Sequence, residues 1–130
     1  RESIAGLRVY KDSSIHRAGS QEKRWQAMVK LVKEARTDAI VFAARNDAVH
    51  LKLMADYLEE LLQKDVDKLS SVRELRDQML DFALELGRSE SEFQRLASLH
   101  SSSPEVADSL VRIALASKEA ELRIRRALQA

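Results

Sequence analysis

Stepping alternately three and four residues from Leu51, the chain sets Leu51, Met54, Leu58, Leu61, Asp65, Lys68, Val72, Leu75, Met79, Phe82, Leu86, Ser89, Phe93, Leu96 and His100 on one line. Eleven of these fifteen positions are apolar, and the register never slips over seven heptads. A 3.5-residue repeat is the mark of a coiled-coil seam or a bundle helix, because only a helix brings such residues to one face. As one continuous helix the stretch would run about 75 Å. Ala55, Leu62, Val66, Leu69 and Ala83 widen the stripe toward bundle packing.

Asp65 and Lys68 interrupt the seam together, and "LSSVRE" follows, with Ser71 and Glu74 at capping-box spacing. Gly87 precedes "SESE", where Ser89 and Glu92 repeat that spacing. Neither site holds a proline, so continuity or a kink is preferred over a turn at 65–71, while 87–89 is evenly balanced. A firmer break stands at "HSSSPEV", with Ser103 as N-cap, Pro104 at N1 and Glu105 in the first turn. The helix that starts there carries Val106, Leu110, Ile113, Ser117, Ala120, Ile124 and Ala127 at the same spacing. With only Ser101 to Ser103 between them, this helix should fold back antiparallel on the one before, and small Ser117 and Ala120 permit close approach. Val111, Leu115, Leu122 and Leu128 form a second apolar strip, for a second partner.

Upstream, the apolar positions Trp25, Met28, Val29, Val32 and Ala35 share one face of a helix running from a Ser20 N-cap to Arg36. Ala39 to Ala44 is apolar on every side. Ile40, Val41 and Phe42 are β-prone, but no partner strand stands elsewhere, and an isolated strand leaves its backbone groups unpaired. As helix, such a segment should be enclosed by several neighbours, from this chain or a second one. Residues 1–20, with "KDSSIHRAGS", read as a tail or irregular cap, leaving 21–130 as a helical domain.

The composition agrees with helices: 33% charged, 45% hydrophobic and 5% aromatic, with three Gly and one Pro among 130 residues. The lack of cysteine excludes disulfides, thiolate zinc sites and a thiol nucleophile. No apolar run nears the ~18 residues of a membrane span, and "RESIAGLRVYKDSS" lacks a signal-peptide core. The expected compartment is therefore the cytoplasm. With a first residue other than Met, a fragment or processed product is expected, and any targeting signal could lie outside it.

Convergent reactive groups are hard to find. The histidines His16, His50 and His100 form no His-Glu-x-x-His or Glu-x-x-His pattern. Asp47 and His50 stand at i and i+3, where a helix cap is a better account than an acid–base pair. The carboxylates of 56–67 and 77–85 read as a solvated face, and Gly6, Gly19 and Gly87 are too far apart for a phosphate loop. No cofactor, metal or small-molecule substrate is suggested.

Residues 1–45 hold ten Lys/Arg against five Asp/Glu, while 46–130 hold twelve against sixteen. The basic end offers Arg17, Lys23, Arg24, Trp25, Lys30 and Lys33 as candidate contacts to an anionic surface, on the basic amphipathic stretch "EKRWQAMVKLVKEAR", although Trp25 is better read as a core or interface anchor. An excess of five charges is modest for a nucleic-acid binder, so that class is disfavoured.

The stretch "YLEELLQKDVDKLSSVRELRDQMLDFALELGRSE" resembles BAR-type and other long helical scaffold domains in its Leu/Glu/Lys-rich heptads. That pattern is shared by many coiled coils, and no functional residue is carried over. The expected fold is all-α: an elongated antiparallel bundle or coiled coil, with a long central helix and the C-terminal helix folded back. The expected function is protein–protein interaction or scaffolding without catalysis, through self-association or a partner helix. Its seam would be Leu51, Met54, Leu58, Leu61, Val72, Leu75, Met79, Phe82, Leu86, Phe93, Leu96, Val106, Leu110, Ile113 and Ile124. The alternative is membrane-surface binding by the basic first helix.

Overall fold

The computed structural model describes residues 21–69 and 75–129. Four helices account for nearly all of them: α1 (Gln21–Ala44), α2 (Ala48–Leu69), α3 (Arg76–Leu99) and α4 (Pro104–Gln129). The expected tail at 1–20, the Ser71–Glu74 pair and Val72 lie outside the described residues.

Helix α1 runs past Arg36 to Ala44, so Ile40, Val41 and Phe42 are helical. The enclosure expected around them is only half present. Ala39, Phe42 and Ala43 are buried, but Ile40 is 44% exposed and Ala44 faces outward. Each helix of a four-helix bundle keeps one side toward solvent, and Ile40 falls on that side.

The turn after α1 is set by two adjacent residues. Asn46 takes the left-handed conformation (φ 54°), which Asn tolerates better than most residues. Its N–H donates to the Ala43 carbonyl at 3.0 Å and the Asp47 N–H to that of Phe42 at 2.9 Å, the Schellman pattern. Asp47 then caps α2, accepting the His50 backbone N–H on Oδ1 at 3.1 Å. One residue thus closes one helix and opens the next.

Cross-helix contacts fix the arrangement. Trp25 meets Phe82 edge-on at 5.3 Å, Gln78 donates to Glu22, and Arg36 reaches Glu85, so α1 and α3 run parallel. Arg112 reaches Asp56 and Glu59, and Arg123 donates to the Leu62 carbonyl, so α2 and α4 run parallel. Arg76 donates to the Leu128 carbonyl and Lys118 lies by Glu90, which makes α3 and α4 antiparallel. Around the bundle the order is α1–α2–α4–α3, with α3 and α4 the most extensively packed pair. Buried Ala83 and Ala97 on α3, and Ala114, Ser117 and Ala120 on α4, allow that approach. The Ser117 hydroxyl is satisfied within its own helix by the Ile113 carbonyl at 2.8 Å.

The long central helix is therefore corrected. The chain reverses between Leu69 and Arg76, and the register from Leu51 to His100 is divided between two helices at diagonal corners. A single straight helix would leave the stripe open, whereas reversal buries both halves in one core, each α-helix spanning about 33–39 Å. By contrast α3 passes through Gly87–Ser89 unbroken, and the last helix starts at Pro104 and folds back as expected.

Candidate interaction surface

The core takes most of the predicted seam. Leu51, Met54, Leu58, Leu61, Met79, Phe82, Leu86, Phe93, Leu96, Val106, Leu110, Ile113 and Ile124 are all buried, and Leu75 packs against them partly covered. Their neighbours belong to the same chain, so in the folded bundle this seam is not on offer to a partner. A heptad register reports that a face is covered, not by what.

What stays outside is sparser and more telling. Helix α4 leaves Val111 (51% exposed), Leu115 (56%) and Leu122 (41%) in water. At 100° per residue these three fall within about 40° of one another, opposite the face that carries Ile113 and Ile124 inward. They are the second strip expected from the sequence, except that Leu128 turns back against the core. The strip is charged at both ends. Glu105 and Asp108 lie exposed near the start of α4 and Arg126 near its end, an order that also suits the helix dipole.

A partly exposed ion-pair cluster stands beside the strip. Arg112 binds Asp56 through Nη2 at 2.6 Å, and Glu59 through Nη2 at 2.6 Å and Nε at 3.1 Å. The hydrogen bonds from Glu59 and then Asp56 raise the Arg112 pKa above its ordinary value. Beside this clamp, a cleft of about 230 Å³ between α2 and α4 is lined by Glu59, Leu62, Gln63, Leu115, Glu119 and Arg123, among others.

A second polar cluster joins α1 to α3. The Glu85 side chain is nearly buried, yet receives Arg36 Nη2 at 2.7 Å and Arg88 Nη1 at 2.6 Å, with Lys33 Nζ at 3.9 Å. Arg36 also donates through Nη1 to the Ser89 hydroxyl at 2.9 Å and to the Glu85 carbonyl at 3.1 Å. Burial pushes the Glu85 carboxyl up, but the Arg36 hydrogen bond and the charges of Arg36, Lys33 and Arg88 outweigh it and leave the pKa lowered. Ser89, polar on an apolar line, stands there to accept from Arg36. The sequence gives no pairing signal for Arg36 with Glu85 or Ser89, because these are 49 and 53 residues from it.

Of the candidate anionic-surface contacts, Lys23, Arg24, Lys30 and Lys33 are exposed on α1, and Arg17 lies outside the described residues. Of the two readings of Trp25 the core anchor holds and the surface contact is corrected, because the ring is wholly buried against Phe82. Asp47 and His50 do meet, at 2.6 Å between Oδ2 and Nδ1, within the helix corner, where the imidazole stacks on Phe42 at 5.0 Å. Among the described residues, no three His, Cys, Asp or Glu are grouped to hold a metal ion, and no helix is long and apolar enough to cross a membrane. Compared with protein families, with curated proteins and with solved structures, the chain matches none.

Proposed function

We propose that this chain is a non-enzymatic helical interaction module whose working surface is the outward face of α4. One observation carries the proposal: Val111, Leu115 and Leu122 stand in water on a single line, on a helix whose opposite face already fills the core. Apolar side chains repeated at helical spacing on the outside of a bundle add nothing to that bundle's interior and suit a second apolar surface. The Arg112 clamp ties α4 to α2 alongside that line. The test is a photo-crosslinking side chain at Leu115, compared with one at exposed Lys64. A crosslinked partner from the first position and not the second is expected. No product from either position overturns the proposal.

A second reading rests on α1. Lys23, Lys30 and Lys33 fall on one outward line at helical spacing, and such a line suits an anionic bilayer at about 1 kcal/mol per cation. Trp25 faces the other way and contributes nothing to it. Sedimentation with anionic vesicles at low salt decides the matter, and failure to bind removes the membrane role.

A further inference from the structure

We infer that the partner of the α4 face is a second copy of this chain, packed antiparallel, α4 against α4; the inference rests on the interaction role proposed above. The outward line of α4 reads Asp108, Val111, Leu115, Leu122, Arg126, with acid at one end and base at the other. Asp108 and Arg126 are eighteen residues apart, about five full turns, so both side chains leave the helix in the same direction. A twofold axis beside Ser117 then sets Asp108 opposite Arg126 of the second copy and Val111 opposite Leu122, each pair occurring twice. The two Leu115 side chains meet near the axis, about 6 Å apart along the helices. Parallel pairing would instead face Asp108 with Asp108 and Arg126 with Arg126. Charge therefore selects the antiparallel arrangement.

The face also limits the strength of the pairing. A helix of 26 residues presents a strip about 39 Å long and 10 Å wide, or roughly 800 Å² over both copies. That is below the size of stable interfaces. Lys118 and Glu119 also lie close to the axis, each near its own counterpart. The association is accordingly a reversible one that depends on concentration.

Sedimentation velocity on the full chain, from micromolar to near-millimolar concentration, tests this directly. A monomer–dimer equilibrium is expected, abolished by Leu115→Glu and weakened about tenfold by Asp108→Arg or Arg126→Asp alone. The double swap, Asp108→Arg with Arg126→Asp, should restore it. Asp108, Leu115 and Arg126 are all exposed, so unchanged melting curves verify that the variants fold. A wild-type monomer at every concentration overturns the inference, as does a dimer that survives Leu115→Glu or a double swap no better than the single ones. A monomer that still crosslinks another protein from position 115 overturns self-pairing alone; a monomer with no crosslink overturns the interaction role as well.

Discussion

Arg36 places one guanidinium nitrogen 2.7 Å from the Glu85 carboxylate and the other 2.9 Å from the Ser89 hydroxyl, joining α1 to two successive turns of α3. Because Glu85 is nearly buried, this pair behaves unlike a surface ion pair. Removing the carboxylate leaves a guanidinium that is only 18% exposed with part of its charge unanswered. Glu85→Ala should cost about 2–4 kcal/mol in urea unfolding.

The same pair should shape the acid limb of stability. The folded-state pKa of Glu85 lies below its ordinary value of 4.5, so its stabilisation is complete above that value. It is lost as pH falls from there through the lowered folded pKa. Glu85→Gln should flatten the stability profile below pH 4.5 and leave its shape near neutrality unchanged, as read from melting temperature against pH.

The α1–α2 corner depends on a left-handed residue followed by a cap. Asn46→Val should destabilise by about 1–2 kcal/mol, because a β-branched side chain resists positive φ, while Asn46→Gly should be close to neutral. Asp47→Ala removes the acceptor for the His50 N–H and should cost about 1 kcal/mol. Thermal unfolding of the three variants orders them.

Gly87 lies inside α3, where glycine lowers helix stability. A methyl group there would meet only the end of the Glu121 side chain, at 3.4 Å. Gly87→Ala should therefore raise stability by about 0.5–1 kcal/mol.

Inside and outside leucines should separate cleanly. Leu86→Ala opens a cavity in the core and should cost about 2–5 kcal/mol. Leu115→Asp, on the exposed strip, should change stability by no more than about 0.5 kcal/mol. Equal losses at the two positions would mean that α4 is packed the other way round.

Local chemistry made much of the fold legible. The 3–4 spacing marked the helices, and Ser103-Pro104-Glu105 marked the start of α4 to the residue. Direction was harder to read. The apolar line from Leu51 to His100 keeps its register across the reversal between Leu69 and Arg76, because both halves face one core. Of the Asn46–Asp47 corner only the cap was legible: Asp47 accepts the His50 N–H as its spacing suggests, whereas the left-handed Asn46 had no signal of its own. Trp25 admits two readings for a related reason: a basic amphipathic helix has the same pattern whether its apolar face meets lipid or Phe82. On the surface, Val111, Leu115 and Leu122 were recognisable as a separate strip, but Leu128 was not separable from them, since only the packing at the end of α4 turns it inward. The Arg36–Glu85–Ser89 cluster had no local signature.

The two hairpins of this bundle are not equals. Helices α3 and α4 grip each other closely, whereas α1 and α2 touch one another least of the four adjacent pairs and lie mainly on α3 and α4. The second hairpin is thus a platform, and the first is a guest whose own turn does little more than keep its helices within reach. Severed between Leu69 and Leu75, the chain would become two helical hairpins, each with its share of one common apolar core laid open to water.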